Sequence, residues 1–216
     1  MRIGLLGGSF NPVHNAHLRI AGEAQEICRL DKVIFIPAAD PPHKSLAGEI
    51  SFEYRSKMVS IAIADFPEFD ISTIEAERNG KSYSIDTIQT FLERFPEDEL
   101  FFIVGGDSFE EIGLWHCYEA IFRSCSLIVV ERPGHEIIGS HDCLPIAIKS
   151  EFLYDNESHR LTHKSGHFVH FVQGTPQNIS STEIRQLVAA GGSIKHLVPP
   201  SVEAYISQKR IYSECQ

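Results

Sequence analysis

Short, nearly continuous apolar runs alternate along the chain with longer stretches in which apolar positions recur every three or four residues. The runs 2–6, 32–37, 100–104 and 126–130 are bounded by Gly, Pro or polar residues and read as strands buried on both faces of a sheet. Between them, 14–28 predicts a first helix, and 51–66 a second with Ser51 as N-cap and Met58, Ile61 and Ala62 facing inward. Phe69, Ile71 and Thr73 alternate as in a strand, and Asn79-Gly80 marks a turn. Ser84 caps a third helix whose stripe is Ile85, Ile88, Phe91, Leu92 and Phe95, and 118–123 continues as helix. Phe168, His170 and Val172 set against Val169 and Phe171 predict a further strand. Ser180 and Glu183 then fit a capping box, with Ile184, Leu187 and Val188 on the core face of a helix ending at Gly191-Gly192. Pro199-Pro200-Ser201 opens a last helix through Lys209.

Strand, helix, strand in this order make right-handed βαβ units the economical arrangement. The expected architecture is α/β: a Rossmann-like, doubly wound parallel sheet with helices on both faces and a small C-terminal helical part. One domain is expected over 1–216. It comprises a core at 1–134, a variable insertion at 135–166 where no period is sustained, and 167–216 with the last strand, the cap motif and the final helices.

Composition changes this picture little. Of the 216 residues 43% are hydrophobic and 22% charged, ordinary globular proportions. No apolar run approaches the roughly 20 residues that span a bilayer, and the chain opens on a strand where a signal segment would be basic and then apolar. Cys28, Cys117, Cys125, Cys143 and Cys215 are odd in number and form no C-x-x-C, which argues for free thiols in a reducing compartment, hence a cytoplasmic protein. The formal net charge of −10 disfavours nucleic acid or an anionic membrane as partner. A nucleotide ligand would need positive potential concentrated locally. Monomer and homo-oligomer both stay open.

Chemistry concentrates in Gly7-Gly8-Ser9-Phe10-Asn11-Pro12-Val13-His14-Asn15-Ala16-His17. Two glycines after a strand let the backbone turn tightly, and Gly8, Ser9 and Phe10 can offer main-chain N–H groups beside a helix N-terminus, where anions are favoured. His14 and His17, three apart, can both reach one phosphate as donors. Gly-Gly is also a common tight turn, and a helical His pair is often only solvated. Pro41-Pro42-His43-Lys44 follows the second strand, where ligands of open α/β sheets bind, and Lys44 would meet phosphate as a mobile charge. Gly105, Gly106 and Asp107 close another strand and suit a ribose or the cation accompanying a triphosphate. Trp115 can stack on a flat ring. His159, His163, His167 and His170 invite a metal, but no Cys or tight carboxylate completes a ligand set and Gly166 interrupts any shared helix, so no protein metal site is expected. Arg185 sits in the first turns of a helix whose dipole favours anions, a conflict that a bound polyphosphate would resolve.

The first motif resembles the phosphate-binding signature of the nucleotidyltransferase superfamily, G-G-S/T-F-D/N-P-x-H-x-G-H, with Ala16 in place of Gly. Together with Ile-Ser-Ser-Thr-Glu-Ile-Arg at 179–185 it closely resembles the bacterial nicotinate-nucleotide adenylyltransferases. Pro41-Pro42-His43-Lys44, Tyr83-Ser84, Gly105-Gly106-Asp107, Trp115 and Arg132-Pro133-Gly134 come in that family's order. The resemblance implies transfer of AMP from ATP to nicotinate mononucleotide, giving deamido-NAD and pyrophosphate, with Mg²⁺ required. It implies catalysis by His14, His17, Arg185 and Lys44, and ATP binding by Gly8, Ser9, Phe10, His14, His17, Gly105, Gly106, Asp107, Ile179, Ser180, Ser181 and Arg185. The mononucleotide would meet Asn11, Lys44, Tyr83, Ser84, Trp115 and His116. Alternatives are nicotinamide mononucleotide or phosphopantetheine as acceptor, or a nucleotide-sensing module without turnover.

Overall fold

In the computed structural model, which describes residues 1–41, 50–78, 80–131, 143–155, 160–175 and 179–213, each apolar run becomes a strand. The elements follow as β1 (Arg2–Gly8), α1 (Asn15–Cys28), β2 (Lys32–Pro37), α2 (Phe52–Ala62), β3 (Phe69–Ile71), α3 (Ser84–Arg94), β4 (Glu99–Gly105) and α4 (Gly106–Glu110). They continue as α5 (Tyr118–Ser124), β5 (Ser126–Glu131), β6 (Phe152–Asp155), β7 (Arg160–His163), β8 (Phe168–Gln173), α6 (Ser181–Ala189) and α7 (Pro200–Lys209). The sheet has eight strands in the order β3-β2-β1-β4-β5-β8-β7-β6. β1 with β4, β4 with β5 and β5 with β8 are parallel, while β7 pairs antiparallel with both β8 and β6. This is the expected α/β sheet with an antiparallel edge. Among the described residues no helix is long and apolar enough to cross a membrane.

Two compact units alternate along the chain. The first comprises Met1–Gly7, Ile20–Val33 and Tyr83–Pro176, the second Gly8–Arg19, Ile34–Ser82 and Gln177–Gln216. In the first, every residue of β5 is buried, as a strand covered on both faces must be. Phe109 packs edge-on against Phe122 and Phe171, with centroids 6.5 and 5.6 Å apart. Close approach is needed where the chain leaves β8. A Cβ on Gly174 would lie 2.6 Å from the Glu131 carbonyl oxygen, so only glycine fits. In the second unit, Phe35 is the hub, with Phe10 and Phe69 at 5.7 and 5.5 Å and Met58 and Val59 fully buried. Each such side chain contributes about 1.5–3 kcal/mol through burial.

Several expectations are corrected. Within 135–166, expected as a variable insertion where no period is sustained, lie the strands β6 and β7; each is only four residues long, too short for periodicity to register. The inward face of α2 is Arg55, Met58, Val59 and Ala62, so Val59 takes the place assigned to Ile61. Ser51 stands at the N-cap of α2 but makes no capping bond, and α3 begins at Ser84 itself with Tyr83 as N-cap. Phe95 has left the α3 stripe and is exposed as its C-cap. β3 ends at Ile71, short of Thr73, and of the α6 face only Ile184 is fully buried. Gly80 does take a left-handed φ of 96°, as the turn requires, while Asn79 lies outside the described residues.

Candidate active site

The glycine-rich loop after β1 is held by its carbonyls. The Gly8 oxygen accepts from the Ala38 N–H at 2.8 Å, Ser9 from Arg55 Nη1 at 2.7 Å, Asn11 from Arg185 Nη1 at 2.8 Å, and Pro12 from Ser181 Oγ at 2.9 Å. In a planar trans peptide the C=O and the following N–H point in opposite directions. The N–H groups of Ser9, Phe10 and Val13 therefore point away from those donors, as an anion cradle needs. Phe10 makes the turn possible: its backbone takes a left-handed φ of 45° and its ring is driven inward onto Phe35, 1% exposed. A Cβ on Gly8 would come within 3.1 Å of that ring.

Past Pro12 the chain enters α1 at Asn15, whose N–H donates to the Leu197 carbonyl and whose side-chain amide donates to the His196 carbonyl. His14 and His17 stack with centroids 3.7 Å apart, and the edge of Phe10 supports His17 at 5.0 Å. The His14 N–H donates to His17 Nδ1 at 3.2 Å. A ring nitrogen that accepts carries no proton, so neutral His17 holds its proton on Nε2 and offers a donor there.

From the other end of the chain, α6 is capped by Ser180, whose Oγ accepts from the Glu183 N–H at 3.1 Å and keeps its own proton for a further acceptor. Ser181 spends its proton on Pro12. Arg185 divides its fork between the Asn11 carbonyl and Thr182 Oγ1. In its place in the first turns of α6 it thus has a loop carbonyl as partner. Ile179 lies half-buried just before the cap.

The first unit brings together a second set. Gly105 is the N-cap of α4, which opens with Gly106 and an exposed Asp107. Trp115 stands edge-on to Phe102 at 6.1 Å, and the rings of Tyr83 and His116 approach to 4.2 Å beside Ser84. Lys44, with Pro42 and His43, and Arg132-Pro133-Gly134 lie outside the described residues. Of these histidines, those within the described residues have separate partners. His163 bonds Glu151 and Ser165, His170 Nδ1 faces Cys28 Sγ at 3.6 Å, and His159 lies outside the described residues. Among the described residues no three His, Cys, Asp or Glu gather as a metal site.

A cytidylyltransferase-like family model matches residues 5–187. A protein of Pelobacter propionicus named a probable nicotinate-nucleotide adenylyltransferase is 58% identical over the full length of both chains. One of the same name from Geobacter sulfurreducens is 52% identical, covering 99% of each. The chain belongs to the nicotinate-nucleotide adenylyltransferase family. The nicotinic acid mononucleotide adenylyltransferase of Plasmodium falciparum, solved in complex with NaAD, shares the fold with a TM-score of 0.76 at 19% identity, over 98% of this chain and 97% of that one.

Two residues of this family member escape a motif reading. Arg55 is 1% exposed and reaches the loop from α2; the signal was a charged residue on the i, i+3, i+4, i+7 stripe it shares with Met58, Val59 and Ala62. Tyr212 donates its hydroxyl to Asn11 Oδ1 at 2.6 Å, a contact across 201 residues that no local pattern announces.

Proposed function

We infer that this protein transfers the AMP moiety of ATP to nicotinate mononucleotide, releasing deamido-NAD and pyrophosphate. The observation that carries the reading is the meeting of two remote motifs: Ser181 and Arg185 bond the carbonyls of the loop that ends in His14 and His17. The family relationship supports the choice of substrates.

A phosphate oxygen of the mononucleotide attacks the α-phosphorus of ATP in line, the new P–O bond forms as the α–β bridging bond breaks, and pyrophosphate leaves with the electron pair. No proton must be removed from the nucleophile, so the protein's work is positioning and charge stabilisation. His17 Nε2 and His14 donate to the charge growing at the α-phosphate and the bridging oxygen. The N–H groups of Ser9, Phe10 and Val13 cradle the triphosphate with Gly8 beneath, and the Ser180 hydroxyl donates to the leaving pyrophosphate. Arg185 and Ser181 act from behind, through the loop; Ile179 adds to the ATP site, and Gly105, Gly106 and Asp107 contact the adenosine. Mg²⁺ would accompany ATP and supply charge neutralisation there, since this hard ion prefers phosphate oxygens. Lys44 adds a charge to the acceptor phosphate, which Asn11 also meets.

The pyridine ring stacks on Trp115, and its carboxylate meets donors around Tyr83, Ser84 and His116. An acceptor-only carboxylate satisfies such donors, whereas an amide turns its NH₂ against one of them. The reaction belongs to the cytoplasm, where ATP and reduced thiols are found. The test is pyrophosphate release from Mg-ATP with nicotinate mononucleotide, nicotinamide mononucleotide or phosphopantetheine as acceptor. The acid mononucleotide is expected to turn over fastest and yield deamido-NAD. Equal rates with acid and amide overturn the pocket argument, and ATP binding without product overturns the enzymatic reading.

A further inference from the structure

After α7 the chain reaches back to the glycine-rich loop through one side chain. Arg210 and Tyr212 both take left-handed backbone, with φ of 52° and 65°, a conformation uncommon for bulky residues. Between them Ile211 is buried and its N–H donates to the Ile206 carbonyl. This double turn brings the Tyr212 hydroxyl to Asn11 Oδ1 at 2.6 Å. Asn11 is 2% exposed, and its main-chain oxygen is already held by Arg185. Its amide Nδ2 is buried with no acceptor among the described residues. Native folds rarely leave a buried donor in that state, because its lost hydration is not repaid until an acceptor arrives.

We propose that Tyr212 is a positioning residue for adenylyl transfer: its hydroxyl anchors the oxygen end of the Asn11 amide and so commits Nδ2 to a phosphate oxygen of the mononucleotide. The inference rests on the reading of the chain as a nicotinate-nucleotide adenylyltransferase. Once the hydroxyl is removed, the amide is free to turn over about its terminal torsion, and in half of its orientations an oxygen faces the phosphate oxygen. The loss falls on the acceptor. ATP is held by other groups, chiefly the loop N–H groups, and its affinity is unaffected.

The test is steady-state kinetics of the full chain with Mg-ATP and nicotinate mononucleotide for wild type, Tyr212→Phe, Asn11→Ala and the double variant. Tyr212→Phe is expected to raise KM for the mononucleotide about tenfold, the scale of one lost hydrogen bond, leaving kcat and KM for ATP within about twofold. Asn11→Ala raises the same KM at least as much, and adding Tyr212→Phe to it costs nothing more, because the second residue acts through the first. An unchanged KM in Tyr212→Phe overturns the proposal. So do additive effects, or a parallel loss in both KM values and kcat with a lowered melting temperature, the signature of a merely structural tyrosine. Wild-type protein that makes no deamido-NAD overturns the functional reading instead, before any variant is compared.

Discussion

His17 receives a hydrogen bond on Nδ1 from the N–H of His14, and that contact fixes where its remaining proton sits. A side chain locked in one tautomer and braced by Phe10 can stabilise charge as it develops without reorganising. His17→Ala is therefore expected to lower kcat by a factor on the order of 10², with KM for the mononucleotide nearly unchanged, measured by initial rates of pyrophosphate release. A near-normal kcat would contradict the role. Arg55 and Arg185 illustrate a different use of charge: each guanidinium donates to a loop carbonyl and so holds the loop from its carbonyl side.

At the scale of elements, the strands and most helices were legible because apolar periodicity survives wherever an element is long and covered. β1, β2, β4 and β5 match their runs to within two residues. β6 and β7 were not legible, since two four-residue strands on an edge need few apolar positions; Leu153 of β6 is in fact exposed. Besides the buried Phe152 and Leu161, polar contacts hold that edge. Glu151 is bonded by His163 at 2.9 Å and by Lys164 at 3.1 Å, with Arg123 at 3.4 Å. These partners, His163 foremost and then Lys164, hold its carboxyl at a pKa of about 2, below the ordinary 4.5. A depressed carboxylate stabilises the fold fully above pH 4.5, and that contribution is lost as pH falls toward 2. Glu151→Gln is thus expected to be less stable than wild type at pH 7, the gap closing progressively below pH 4.5 in urea melts. A gap of constant size across that window would refute the ionic role. The Ser180 cap of α6 was readable in the sequence, whereas the target of Arg185 was not, because it lies in a loop 174 residues earlier.

For the whole molecule, a formal charge of −10 has to coexist with two anionic substrates. On the proposed reading, the loop N–H groups and the histidine pair would supply local positive potential without changing the net charge. A ligand that binds only the folded state adds about 2.7 kcal/mol at a hundred times its Kd, roughly 5–10 °C in melting temperature for a chain of this size. A non-hydrolysable ATP analogue with Mg²⁺ is expected to produce such a rise by calorimetry. The same rise should largely persist in His17→Ala, whose contribution belongs to the transition state; an analogue that leaves the wild-type melting temperature unmoved would argue against the cradle. The phosphate motif and the cap motif were both legible in the sequence, each by its own local chemistry, but the bonds joining them were not, since sequence spacing carries no record of which carbonyl a distant hydroxyl will find.

Those bonds also set a clock. Ser181, Arg185 and Tyr212 follow their loop partners by 169, 174 and 201 residues. At ribosomal speeds of about 5–20 residues per second, the loop emerges roughly 10–40 s before these three partners exist. A nascent chain stalled before Ser181 has already made β1 through β8, and its loop is held at Gly8 and Ser9 by Ala38 and Arg55, so the Asn11 and Pro12 end of the loop is the last part to be fixed.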